Sequence, residues 1–114
     1  MWSVDENYRI TMTKGDTPSF KVECNIVTED GETQSYVPEE GDEFVFACKQ
    51  DKDDKVPLLT IKIPSDTMIL SFKEEDTKFL ELGRYIWEIS LNKPSGYHCT
   101  FITNKTLVLT VEVY

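Results

Sequence analysis

Histidine occurs once in this chain, at position 98, and none of its three cysteines forms a C-x-x-C pair. These scarcities close the commonest routes to catalysis and metal binding, because imidazole and paired thiolates supply the usual bases and zinc ligands. His98 adjoins Cys99, but neighbouring side chains on a strand point to opposite faces, so the two cannot make a nucleophile–base dyad. No Gly-x-Ser-x-Gly elbow is present to enlist His98 for serine chemistry. Asp51, Asp53 and Asp54 begin like a calcium loop, yet Val56 stands where Gly is needed and Ile61 or Lys62 where Glu is needed. That run reads as a solvated hairpin tip. The 21 acidic residues offer many carboxylate pairs, but nothing singles one out for glycosidase chemistry. The sequence therefore names no catalytic residue, no cofactor and no metal ligand.

Positive charge is also sparse. Twelve basic residues face 21 acidic ones, a formal charge of −9, and the bases are scattered. Phosphate backbones and anionic membranes are bound by basic stripes, so neither nucleic acid nor a membrane surface is an expected partner. The longest apolar run inside the chain, residues 44–48, is far too short to span a bilayer. Residues 1–7 lack the basic start and apolar run of a secretory signal. The expected location is the cytoplasm, unless the protein leaves as part of a larger particle. Cys24 and Cys48 each share a face with apolar residues, which suits free, buried thiols, and all three cysteines are expected to be reduced.

What the chain does have is alternation. Its 114 residues match the commonest domain size, and one domain over residues 1–114 is expected. Short apolar–polar alternations recur about every ten residues with turn chemistry between them, the pattern of a β-sandwich. Residues 8–12 read as an edge strand and 20–26 as one strand. An Asp30-Gly31 turn and a turn at 38–42 follow, and Phe44, Phe46 and Cys48 then share a face. Further strands are expected near Leu59, Ile61 and Ile63 and over 68–72, with a single helical turn in 73–79. Tyr85, Trp87, Ile89 and Leu91 give the clearest strand, and residues 99–103 and 106–113 read as a hairpin around Asn104-Lys105. The connections are too short for βαβ crossovers, so an antiparallel fold of seven to eight strands is expected. The expected core is Val22, Cys24, Ile26, Phe44, Phe46, Ile61, Leu70, Tyr85, Trp87, Ile89, Leu109 and Val111.

Asp76-Thr77, then Leu82-Gly83, then Tyr85 at a strand start has the look of a tyrosine corner, in which the phenol bonds back to the backbone in immunoglobulin-like sandwiches. The antibody-type disulfide is missing, since the position two after Tyr85 is Trp87, read as core filling. Of the aromatics expected at a terminus or in loops, Trp2, Tyr36 and Tyr97 are candidates for contact. An open sandwich also leaves edge strands that pair with other chains. Residues 8–12 and the C-terminal strand ending at Tyr114 are the expected edges. The binding candidates are Tyr36, Tyr97 and Tyr114.

Several segments taken in order look familiar: Lys14-Gly15-Asp16-Thr17, then Tyr36-Val37-Pro38-Glu39-Glu40-Gly41-Asp42 before Phe44-Val45-Phe46. Ile63-Pro64-Ser65-Asp66-Thr67 and Leu82-Gly83-Arg84-Tyr85-Ile86-Trp87-Glu88-Ile89 follow, with a closing strand from Leu107. Across residues 8–113 this resembles the small immunoglobulin-like domains of tailed phages and prophages of Gram-positive bacteria, such as the N-terminal domain of baseplate upper proteins. The resemblance implies an immunoglobulin-like sandwich in a virion-, tail- or baseplate-associated protein that works by contact with other phage structural proteins or with itself. It carries over no catalytic or ligand residue. Baseplate upper proteins continue into further domains whereas this sequence stops at Tyr114, so a stand-alone accessory protein is expected. A carbohydrate-binding module is the alternative, recognisable by a flat row of exposed aromatics. A small protease inhibitor of similar fold ranks third, because its loop motifs are missing.

Overall fold

The structure, a computed structural model, describes residues 2–51 and 53–111. The strands are β1 (Trp2–Val4), β2 (Ile10–Thr13), β3 (Ser19–Lys21), β4 (Asn25–Val27), β5 (Thr33–Ser35), β6 (Glu43–Lys49), β7 (Leu59–Ile63), β8 (Ile69–Ser71), β9 (Gly83–Asn92) and β10 (His98–Thr110). One short helix, α1 (Glu74–Lys78), precedes β9. Six strands form a sheet in the order β1-β2-β10-β9-β6-β7, and β3-β8 and β4-β5 form two small sheets. The domain is thus β-rich, with the large sheet curled into a half-barrel.

Strict alternation places β9 at the centre. Tyr85, Trp87, Ile89 and Leu91 are all buried, and β10 and β6 flank β9 on its two sides in antiparallel register. Opposed residues share a face, so Phe44, Phe46 and Cys48 of β6 lie across from Leu91, Ile89 and Trp87. The β3-β8 ribbon covers this inner face. The ring of Phe72, just past β8, meets Phe46 edge-on at 5.3 Å, and Phe46 meets Trp87 at 5.5 Å. The Trp87 indole donates to the Thr106 carbonyl at 3.1 Å, so its polar edge is satisfied inside the core. Burial joins Ile10, Met12, Val22, Leu70, Leu107 and Leu109 into the same cluster.

The tyrosine corner is present in its local form: the Tyr85 hydroxyl donates to the Glu81 carbonyl at 2.6 Å. The single helical turn also forms. It docks where the backbone N–H of Gly15 donates to the fully buried Thr77 hydroxyl at 2.9 Å.

Several expectations fail, each for a physical reason. Among the described residues, ten strands in three sheets replace seven or eight, partly because residues 20–26 split between two sheets. β3 pairs with β8, the chain crosses the core at Val22 and Cys24, and among the described residues β4 then pairs only with β5. The β4–β5 hairpin stands clear of the core, which leaves Ile26 exposed (44%). Ile61 is half-buried against the core, and Val111 is exposed at 58%, just past the end of β10.

Residues 98–110 are one strand and not a hairpin. Two register slips against β9, between Thr100 and Ile102 and between Ile102 and Lys105, each add a residue to β10. Asn104, at φ 54, adopts its left-handed conformation inside this bulged strand and makes no turn. Bulges bend and twist a strand, which suits a sheet that curls. β2 is not an edge either. It lies between β1 and β10, and its pairing with β10 is parallel. Strands from opposite ends of the sequence can pair this way without a local crossover. The expected C-terminal edge fails too, because β10 is flanked by β2 and β9; among the described residues the edges of the large sheet are β1 and β7.

Two substitutions test this packing. Phe46→Ala, at a fully buried position, is expected to cost about 3–5 kcal/mol in a denaturant titration. Tyr85→Phe removes the hydroxyl and strands the Glu81 carbonyl, and is expected to cost about 1 kcal/mol. No measurable loss in Tyr85→Phe means that the corner does not need its hydrogen bond.

Candidate functional site

Two of the three candidate aromatics come together. Tyr36, just after β5, and Tyr97, in the β9–β10 loop, line one largely apolar groove of about 360 Å³ with Cys24, Ile26, Cys99 and Phe101. Tyr114 lies outside the described residues. Trp2 sits elsewhere, on β1, leaning on Phe20 with ring centroids 5.9 Å apart.

The two tyrosines differ in character. Tyr97 is more than half exposed, while Tyr36 is half-buried and committed to a polar network. The Tyr36 hydroxyl donates to the Asp42 carboxylate at 2.5 Å and accepts from the Lys93 ammonium at 2.6 Å. Lys93 also donates to Asp42 at 3.1 Å, lies 3.7 Å from Glu39, and sits 5.2 Å from the Tyr36 ring centroid. A fourth bond closes the loop, from the Glu39 backbone N–H to Asp42 at 2.9 Å. Asp42's side chain is almost wholly covered, so its charge is tolerable only because three donors converge on it.

Backbone geometry fixes the same junction. Gly41 takes φ +88, and a Cβ there would fall 2.6 Å from the Pro94 ring. Only glycine lets the 38–42 turn lie against the β9–β10 loop in this conformation. Behind the groove, Tyr36 packs on Phe44 at 6.3 Å and Phe44 on Phe101 at 5.9 Å, edge-on in both cases. The groove wall is thereby tied to the core.

These contacts set the protonation behaviour. The Tyr36 hydroxyl, ahead of the Glu39 N–H, holds the Asp42 carboxyl below its ordinary range. The bond to Tyr36, ahead of that to Asp42, lifts the Lys93 ammonium above its usual value. Tyr97 is raised, chiefly by its side-chain hydrogen bond with Cys99. Cys24 is raised by burial and by the nearby Cys99 sulfur, and burial alone pushes Cys48 up to about 12. All three thiols are unbridged.

His98 bonds Asn92 through Nδ1 at 2.5 Å and Thr100 through Nε2 at 3.3 Å, on the exposed face of β10. Among the described residues no three His, Cys, Asp or Glu side chains converge to hold a metal ion. Asp51, Asp53 and Asp54 cap their own turn, with Asp51 accepting from the Asp53 N–H and Asp54 from the Asp51 N–H. The groove is lined mostly by apolar side chains and carries one fixed ammonium, that of Lys93. Sequence reasoning missed Lys93 and Asp42, which lie 51 positions apart. Their local signals were a charge beside the turn glycine Gly41 and another beside Pro94.

Two outcomes are expected. Asp42's low value adds stability above the ordinary carboxylate range of about 4, and this is lost as pH falls through the lower folded value. The raised value of Lys93 acts in reverse: its contribution is complete below about pH 10 and disappears as pH rises through the folded value. The stability advantage of the wild type over Asp42→Asn is therefore expected to be flat between about pH 5 and 9 and to shrink below about pH 4. In native protein, a thiol reagent is expected to label Cys99 and leave Cys48 untouched until denaturant is added.

No protein-family model matches this chain, and no curated protein and no solved structure matches it either.

Proposed function

We propose that this domain is a non-catalytic binding module: a phage or prophage structural protein, associated with the tail or baseplate, that works by contact with a neighbouring subunit or with a copy of itself. The observation that carries the reading is the groove between the β4–β5 hairpin and the β9–β10 loop. There an exposed Tyr97 stands beside apolar side chains, on a wall held rigid by the Asp42–Lys93–Tyr36 network. Exposed aromatics over a preorganised apolar floor are what protein contacts use. An immunoglobulin-like ancestry for the fold is supported by the Tyr85–Glu81 hydrogen bond and by the β3-β8 layer packed on the Trp87 face. On this reading the protein is held in the bacterial cytoplasm during assembly and then joins the virion.

The test is binding. Light scattering over a concentration series, with pull-down against the products of adjacent genes, is expected to show a homo- or hetero-complex. Tyr97→Ser is expected to weaken that complex at least about tenfold, as removal of a central aromatic anchor does. A strictly monomeric protein that ignores those products but binds sugars on a glycan array overturns the reading in favour of a carbohydrate-binding module.

A further inference from the structure

The groove has one strongly asymmetric neighbour. Residues 22–48 contain eight acidic residues and no lysine or arginine, a formal charge of −8 over 27 positions. This stretch includes β4, whose Asn25 and Ile26 line the groove, and the 38–42 turn, whose Glu39 lies 3.7 Å from the groove residue Lys93. Asp42 is neutralised by Lys93, and Glu43 reaches Lys62 at 3.9 Å. The remaining six, Glu23, Glu29, Asp30, Glu32, Glu39 and Glu40, are all exposed. Three of these crowd the hairpin tip, where Thr28 donates to Asp30 and the Gly31 N–H donates to the Thr28 carbonyl at 2.9 Å.

The hairpin itself is incomplete. An isolated two-stranded ribbon is marginally stable in water. Among the described residues β4 pairs only with β5, so its other edge, which borders the groove through Asn25 and Ile26, meets no strand. Val27 and Val37 are the most exposed large apolar side chains nearby, at 72% and 77%. An extended segment laid along β4 satisfies free backbone groups there and drops alternate side chains into the groove. Its other side chains then face the acids.

We infer that the groove takes an extended, basic segment of a partner protein, paired with the free edge of β4, with apolar side chains between Ile26, Tyr97 and Phe101 and lysines or arginines against the acidic rim. This deepens the proposed function and rests on the same groove. The charge of this stretch disfavours an acidic partner, and also a second copy of this chain, because two rims of the same sign repel.

Three synthetic twelve-residue peptides test it by calorimetric titration against the full chain: alternating Lys–Val, alternating Glu–Val and alternating Lys–Ser. The Lys–Val peptide is expected to bind, and the other two at least about tenfold more weakly, since one lacks charge complementarity and the other lacks anchors. Raising NaCl from 0.05 to 0.5 M is expected to cut Lys–Val affinity about tenfold through screening. The variant E29K/E32K/E40K, altered only at exposed positions, is expected to do the same while its denaturation midpoint stays unchanged. Equal binding of Glu–Val overturns the charge argument, equal binding of Lys–Ser overturns the groove argument, and no binding of any peptide overturns both. If Tyr97→Ser weakens the natural complex but E29K/E32K/E40K does not, the protein-binding reading stands and the basic-segment inference fails.

Discussion

The inward face of β9 is the constraint from which the rest of the structure follows. Four alternating residues, Tyr85, Trp87, Ile89 and Leu91, must leave water together. A strand that buries one face needs neighbours on both sides and a layer above. β6 and β10 supply the first, and β3-β8 with Phe72 supplies the second. The two bulges in β10 bring Cys99 opposite Leu91, Ile102 opposite Ile89 and Leu107 opposite Tyr85, with Lys105 opposite Trp87. Each bulge shifts the alternation of β10 by one residue. The strand thus tracks β9 along its length while the sheet curls.

The candidate site grows from the end of that same strand. Lys93 follows the last residue of β9, so its position is fixed by the core and not by a mobile loop. From there it reaches Asp42 and Tyr36, 51 and 57 positions earlier, and pins the 36–42 turn to the β9–β10 loop. Gly41 against Pro94 fixes the same junction sterically. The arrangement leaves the β4–β5 hairpin as a projecting wall and Tyr97 as the opposite lip. Preorganisation of this kind lowers the ordering cost of binding.

How much of this could be read from the sequence depended on whether the relevant interaction was local. Period-two alternation located β6 and β9 and most of their buried residues. Turn chemistry located the Asp30-Gly31 and 38–42 turns, and the spacing before Tyr85 anticipated its bond to Glu81. Alternation misled where the chain changes sheets, because Ile26 continues the parity of Val22 and Cys24 after the core has been left behind. It misled again at Asn104, where a left-handed residue inside a bulge has the same composition as a hairpin turn. β2 read as an edge because its partner β10 lies about a hundred residues away. Tyr36 and Tyr97 were named singly, and nothing local showed that they share a groove or that the Tyr36 hydroxyl belongs to a buried ion pair.

The central claim is that recognition occurs at the groove and not at the open edges of the large sheet. Amide hydrogen exchange of the full chain, with and without the binding product of a neighbouring gene, tests it most directly. The account predicts slowed exchange in β4 and around Tyr97, with β1 and β7 unchanged. Protection confined to β1 or β7 would contradict it, because binding would then run along the sheet edges and leave the groove unused.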